Sequence, residues 1–437
     1  MINDSICAIS TFLSESAISI VRMSGQGCFD ILKKVSDIKN IEANTIKYCH
    51  IYDKGKLVDE VLVSIFKAPK SYTREDMVEI NCHGGVFVTR NILNLLLVNG
   101  ARLAEPGEFT RRAYLNGRID LSKAESINDL INAKTSISSR SAINGVNGSV
   151  SKLLTPLMDE IKDLISKIEV NIDYPEYDDV EQITNDYVIP SLNKWIKECE
   201  IMIDKARRFV SVKDGINTAI IGKPNVGKSS LLNALLNEDK AIVTDIAGTT
   251  RDIVEGKVNL EYITLNLIDT AGLRESNDTV EKIGIEKTKK VYAKADLIIH
   301  VIDASNIDDE DKKIENDIKD FNHITVYNKI DLNKDVQGIK VSCLKGNIDE
   351  LLYFLNNRYE PDTKLVDEEV LNNERQISLM VKACDEFKEM LTNINNIKLD
   401  VIEINLEEAY KYLCDILGLE YKEDIIDHMF KNFCLGK

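Results

Sequence analysis

Apolar residues in the first 118 positions fall in short runs at 17–21, 61–66 and 77–80, separated by turn residues, with one long helical stretch at 86–98. That alternation predicts a small α/β domain. From Leu121 the period changes, and Leu121, Ala124, Ile127 and Ile131, then Leu153, Leu157, Ile161, Leu164, Ile165 and Ile168, recur at helical spacing. The same period returns at Ile377, Met380, Val381, Cys384, Phe387 and Leu391, and at Leu406, Ala409, Tyr410, Leu413, Ile416 and Leu417. Turn signals in both helical stretches are too sparse for a sheet. Between them, runs at 218–221, 264–268 and 324–327 read as buried strands. The pattern predicts a multidomain chain of α/β and all-α parts, with an N-terminal α/β domain at 1–118 and a discontinuous helical domain at 119–211 and 359–437. An α/β domain at 212–358 interrupts the helices, its ends close together as an insertion requires.

The inserted domain carries the most specific chemistry. Gly222-Lys223-Pro224-Asn225-Val226-Gly227-Lys228-Ser229 stands between a strand and the helix at 230–236, the context of a phosphate-binding loop. Backbone N–H groups of Asn225, Val226, Gly227, Lys228, Ser229 and Ser230 are placed to cradle phosphate oxygens. Lys228 is placed to reach the β- and γ-phosphates as a point charge, and the Ser229 hydroxyl to ligate Mg²⁺. Asn328-Lys329-Ile330-Asp331 closes a strand, and a carboxylate there accepts from both N1–H and the 2-amino group of guanine. Adenine would leave Asp331 unpaired, so the base is guanine. Ser342, Cys343 and Leu344 resemble the loop that buttresses the base through backbone N–H. Asp269-Thr270-Ala271-Gly272 ends another strand, with Asp269 holding Mg²⁺ through water and the Gly272 N–H facing the γ-phosphate. The segment Thr244-Asp245-Ile246-Ala247-Gly248-Thr249-Thr250 supplies the first switch, and Thr250 completes the Mg²⁺ shell. The nucleotide is therefore GTP or GDP.

Leu273 occupies the position where Ras-like switches carry the glutamine that orients the attacking water. An apolar side chain cannot do that work, so another group must position the water and another charge must stabilise the transition state. Arg251 and Arg274 are near in sequence but read equally well as surface arginines of switch loops.

Composition narrows the partners. A formal net charge of −17 over 437 residues argues against non-specific coating of nucleic acid. Arg111-Arg112, Arg118 and Lys205-Arg207-Arg208 are the candidates for a local basic face, each equally a solvated charge cluster. Nine cysteines without C-x-x-C pairs indicate neither a zinc site nor a disulfide framework. His83 reads as structural or pocket-lining. The start lacks a basic n-region, and no run approaches the roughly 20 apolar residues of a membrane span, so a soluble cytoplasmic protein without stable membrane association is expected.

With the switch at 244–252, the C-terminal Phe433-Cys434-Leu435-Gly436-Lys437, and Pro106-Gly107-Glu108-Phe109-Thr110-Arg111-Arg112-Ala113, Asp120-Leu121-Ser122-Lys123-Ala124-Glu125-Ser126 and His83-Gly84-Gly85, the whole chain resembles the MnmE/TrmE family of tRNA-modification GTPases. The resemblance implies a homodimer joined through the N-terminal domain and a tetrahydrofolate bound there, 5,10-methylenetetrahydrofolate or 5-formyltetrahydrofolate. It implies a heterotetramer with an FAD-dependent MnmG/GidA-type protein that places a carboxymethylaminomethyl or aminomethyl group on C5 of wobble uridine 34 of tRNA. It also implies that paired GTPase domains bind K⁺ where an arginine finger would act, with oxygens from Asn225, Thr244, Ile246 and Thr249 as ligands. Glu281 takes the water-orienting role by resemblance; on sequence alone it is a solvated helix residue.

Arg22, Glu79, Arg118 and Lys437 match folate-contacting positions of the family. A carboxylate suits the amino-pyrimidinone edge of a pterin and cationic groups suit its glutamate tail. Two departures stand out: Arg118 replaces the usual lysine, and Thr11-Phe12-Leu13-Ser14-Glu15-Ser16 replaces a glycine-rich loop. Cys434 reads as a buried structural thiol or as a catalytic participant beside the folate; Gly436 and Lys437 make a poor prenylation box. The alternative function is a regulatory GTPase of ribosome assembly. Such switches attach an RNA-binding module, and no KH-type Gly-x-x-Gly loop in a basic setting follows the GTPase domain here.

Overall fold

The computed structural model describes residues 4–133, 135–174, 183–236, 254–260, 262–268, 292, 294–333, 335–419, 430, 433 and 436. The chain divides into two units, one of Met1–Ala133, Ala142–Ile189 and Asp385–Lys437, the other of Lys134–Ser141 and Pro190–Cys384.

In the first unit, β1 (Ser5–Ile9), β2 (Ile18–Gly25), β3 (Thr45–Asp53), β4 (Lys56–Phe66), β5 (Met77–His83) and β6 (Arg102–Leu103) form one sheet in the order β3-β4-β5-β2-β1-β6. All neighbours run antiparallel except β1 and β6. On β5, Val78, Ile80 and Cys82 are buried while Glu79, Asn81 and His83 between them are not, the period of a strand with one covered face. The helices Cys28–Val35 and Val86–Val98 cover that face, packing Ile31, Leu32, Ile92 and Leu96 against Val21, Met23, Val63 and Ile80. On the opposite face Ile6 and Ala8 of β1 pack with Ala104 and Phe109, and the β2–β5 register sets Arg22 directly across from Glu79.

The amphipathic repeat from Leu121 forms helices as expected, at Leu121–Asn132 and Ser149–Asp173. Asp120 caps the first by accepting from the Lys123 amide. The helix Leu399–Leu417 packs against Ser149–Asp173, burying Leu406, Leu413 and Ile416 and, from the longer helix, Leu157, Ile161 and Leu164. Pro156 sits inside its helix, as its eighth residue, and so leaves one carbonyl of the preceding turn without its i→i−4 partner.

In the second unit, β7 (Ile216–Ile221), β8 (Val254–Asn259), β9 (Thr264–Ile268), β10 (Leu297–Asp303), β11 (His323–Asn328) and β12 (Ile339–Lys340) run β12-β11-β10-β7-β9-β8. Only β8 is antiparallel to its neighbour. Both faces are covered, so β7 and β10 read as continuous apolar runs. The chain leaves β7 for β9 on one side and reaches β10 on the other, a switch point at the carboxyl end of β7 where open α/β sheets bind ligands. His300 in β10 is fully buried, neither ring nitrogen has a hydrogen-bond partner among the described residues, and burial pushes its pKa down, so it is a neutral core residue.

Three residues of the candidate basic faces are paired with carboxylates. Arg112 is 1% exposed and lies among Asp4, Glu75 and Glu108, so it cannot meet a nucleic-acid phosphate. Lys205 pairs with Glu368 at 2.5 Å and Arg208 with Asp204 and Asp362. The described cysteines are unbridged and no metal-holding cluster occurs among the described residues.

Candidate functional site: a nucleotide loop and a cation-aromatic site

The phosphate loop leaves β7 at Gly222 and enters the helix Lys228–Leu236. Gly222 has φ 145°, and a Cβ there would lie 2.3 Å from the carbonyl oxygen of Val301. Gly227 has φ 101°, and its Cβ would fall 2.1 Å from Nδ2 of Asn328. Only glycine allows these two approaches. Asn225 also takes a left-handed conformation, which asparagine tolerates.

The guanine-reading motif is wired to this loop. Asn328 donates from Nδ2 to the Val226 carbonyl at 2.9 Å and accepts at Oδ1 from the Cys343 amide at 3.1 Å. Lys329 donates to the Asn225 carbonyl at 2.9 Å and pairs with Asp303 at 2.6 Å. The Ser342 hydroxyl donates to Asp331 at 2.7 Å, and that bond holds the Asp331 carboxyl below the usual carboxylate range. Asp331 is thus an ionised, exposed acceptor fixed by its neighbour. Burial pushes the Cys343 thiol up to about 11, so it stays neutral while its backbone serves Asn328.

Lys228 is partly desolvated, which lowers its pKa, and its ammonium donates to the carbonyls of Gly222 at 2.8 Å and Lys223 at 2.7 Å. Ser229 and Ser230 follow it in the first turn of the helix, where N–H groups have no intrahelical partner. The structure therefore brings together Asn225, Val226, Gly227, Lys228, Asn328, Lys329, Asp331, Ser342 and Cys343, while Leu344 points out, 87% exposed. Thr244, Asp245, Ile246, Ala247, Gly248, Thr249, Thr250, Asp269, Thr270, Ala271, Gly272 and Glu281 lie outside the described residues.

A second constellation occupies the face of the first unit's sheet that carries Arg22 and Glu79. Arg22 donates to Oε1 of Glu79 from Nε at 2.9 Å, with Nη2 at 2.7 Å from the same oxygen. Its guanidinium lies 5.7 Å from the Tyr72 ring centre and 5.6 Å from that of Phe109. Arg118 stacks on Tyr72 at 4.7 Å and donates to the Tyr72 carbonyl at 2.9 Å. The Gly436 carbonyl accepts from Arg22 at 3.1 Å and from the Ser10 hydroxyl at 3.0 Å. Phe430 and Phe433 pack on Ala124, and a Cβ on Gly107 would meet Phe430 and Phe433 at 2.8 Å. Cys434 and Lys437 lie outside the described residues. In the departed segment, Thr11 bonds Ser19 at 2.7 Å and Gly84 approaches Ser16 too closely for any side chain. His83 is exposed, with Nδ1 held by Asp59 at 2.7 Å, which raises its pKa.

Sequence reading gave no role to Tyr72, which no motif marks, or to Phe109, which it quoted only as part of the motif at 106–113. It also missed Asp303, and the pairing of Lys223 with Asp308 and Asp311, although the D-x-x-D helix-start signature of Asp308 and Asp311 is legible.

The loop, the guanine motif and the parallel sheet with its switch point define a P-loop GTPase domain carried in a chain that also holds an α/β domain and helices. The family model for the GTP-binding protein TrmE N-terminus matches residues 5–118, and that for the MnmE helical domain matches 121–434. The tRNA modification GTPase MnmE of Lactococcus lactis subsp. lactis is 45% identical over 99% of this chain and 98% of its own. Those of Streptococcus thermophilus and Streptococcus pneumoniae are each 44% identical over 99% of this chain, covering 98% and 99% of their own. Among solved structures, the G domain of the T. maritima FeoB iron transporter is similar over 33% of this chain and 98% of its own, at 25% identity and a TM-score of 0.25. The chain belongs to the MnmE family of tRNA modification GTPases. That membership sets aside the ribosome-assembly switch. No helix among the described residues is long and apolar enough to cross a membrane.

Proposed function

We propose that the chain hydrolyses GTP in a potassium-dependent manner and couples this to installing a carboxymethylaminomethyl or aminomethyl group on C5 of wobble uridine 34 of tRNA. It does so as a homodimer with an FAD-dependent MnmG/GidA-type partner, a tetrahydrofolate bound at the Arg22–Glu79 site supplying the one-carbon unit. The observation that supports this reading is the Gly436 carbonyl seated on Arg22, beside Glu79, a pairing fit for a pterin. Both Arg22 contacts fall on Oε1 of Glu79, leaving Oε2 to accept from a ligand's amino-pyrimidinone edge. Tyr72 offers a partly exposed ring, and Arg118, with Lys437, suits an anionic tail. The boundaries at 118, 211 and 358 belong to the same proposal.

In the GTPase domain, Lys228 exchanges the Gly222 and Lys223 carbonyls for phosphate oxygens, and the N–H groups from Asn225 to Ser230 hold the phosphates. Ser229 and Thr250 hold Mg²⁺, which neutralises charge on the β- and γ-phosphates. Asn225, Thr244, Ile246 and Thr249 hold K⁺, which supplies the charge that an arginine finger provides elsewhere. Asp269 and Gly272 face the γ-phosphate, and Glu281 orients the attacking water, the work Leu273 cannot do. Cys434 serves the modification site. Hydrolysis measured in KCl and NaCl at equal ionic strength tests the potassium role: turnover in KCl should exceed that in NaCl by about 10-fold or more, the scale of one lost transition-state charge contact. Equal rates would overturn it.

A further inference from the structure

We propose that Lys223 is a positioning residue of the phosphate loop, clamped by Asp308 and Asp311 so that the helix Asp309–Ile318 holds the loop ready for nucleotide. Lys223 is the second residue of the loop, yet its side chain turns away from the phosphate site and is only 8% exposed. Its ammonium lies 2.7 Å from Asp308, 2.8 Å from Asp311 and 3.4 Å from the Asn306 carbonyl. Lysine is seldom so buried without paired partners.

The two carboxylates are oriented before the lysine arrives. Asp308 is the N-cap and accepts from the Glu310 amide at 2.9 Å, while Oδ2 of Asp311 accepts from the Asp308 amide at 3.1 Å, completing a capping box. Asp311 is 2% exposed and cannot swing into solvent. The clamp is therefore rigid on the helix side.

On the loop side, Lys223 shares its residue with a carbonyl that receives Lys228 at 2.7 Å, and the preceding Gly222 carbonyl receives it at 2.8 Å. Gly222 is itself pressed onto the Val301 backbone. Lys228 must leave these two carbonyls when phosphate oxygens arrive. The exchange needs no rearrangement of the loop as long as residues 222 and 223 stay in place, and the clamp is what fixes residue 223. Without it the loop samples arrangements that do not accept phosphates, and apparent affinity falls in proportion to the competent fraction. Once nucleotide is bound the loop has one arrangement in either case, so turnover at saturation changes little.

The test uses the full-length purified chain and a fluorescent GDP analogue, with GTP hydrolysis followed at saturating substrate. Lys223→Met should weaken GDP binding about 10-fold, corresponding to a competent fraction near one tenth, while kcat stays within about 2-fold. Lys223→Arg should restore most of the affinity. Asp308→Asn, at a half-exposed position whose change leaves no buried charge unpaired, should weaken binding by about 3-fold and serves if the methionine variant does not fold. Wild-type GDP affinity in Asp308→Asn or in folded Lys223→Met overturns the proposal, whatever the melting temperature. A fall in kcat as large as the fall in affinity also overturns it, because the lysine would then act in the reaction itself.

Discussion

At the scale of single residues, we propose that Asp331 selects the base; its carboxylate is kept ionised by the Ser342 hydroxyl, in a loop that Asn328 ties to Cys343. Asp331→Asn turns one acceptor into a donor that faces the N1–H and 2-amino group of guanine. GDP affinity should fall by about 10-fold or more, while affinity for xanthosine diphosphate, which offers a 2-oxo acceptor, should rise. Titration of the purified variant with both nucleotides reads this directly, and unchanged GDP preference would remove Asp331 from base recognition. These residues were legible because each motif answers a fixed geometric demand, a glycine where backbones touch or a carboxylate where two donors converge. Tyr72, Phe109 and Asp303 were not, since an aromatic face or a second carboxylate becomes functional only through neighbours distant in sequence.

At the scale of elements, the helical stretch at 86–98 and the strand at 77–80 were readable because one buried face imposes its period on the sequence, and the strand at 264–268 because burial on both faces makes a short apolar run. The role of Arg112 was not, because a doublet of arginines looks the same on a surface as in a core. The fold buries it against Glu108, four residues earlier on the helix Glu108–Leu115, and against Asp4 and Glu75. Removing it should destabilise the unit by about 3–5 kcal/mol, since Glu108 would be left buried with one cation fewer. The same cluster makes stability depend on acid. Burial pushes the Glu108 carboxyl up, but bonds from Arg102, the Glu105 amide and Arg112 outweigh it and hold the pKa below its ordinary value of 4.5. A depressed folded-state pKa contributes stability that is fully present above 4.5 and is lost as pH falls through the folded value. Thermal melts of the chain and of Glu108→Gln should therefore differ most at neutral pH and converge as pH falls from 4.5 through the depressed folded-state value. A gap that stays constant with pH would deny the carboxylate its part in the cluster.

At the scale of the whole molecule, the proposed reading puts two chemistries in two units: the nucleotide loop lies within Pro190–Cys384, and the Arg22–Glu79 pair lies with Gly436 in the other. Family membership gives tRNA modification by a GTPase, and we propose that the modifying chemistry lies on the face of the N-terminal sheet that carries Arg22 and Glu79. Glu79→Gln keeps the size of the side chain and its place opposite Arg22, but replaces one accepting oxygen with a donor. A variant that still hydrolyses GTP like the parent is folded and competent in its nucleotide unit. The decisive measurement is mass spectrometry of nucleosides in tRNA from cells whose only copy of the chain carries Glu79→Gln. Wobble uridine should then lack its C5 substituent, whereas fully modified uridine at that position would contradict a role for Glu79 in the modification.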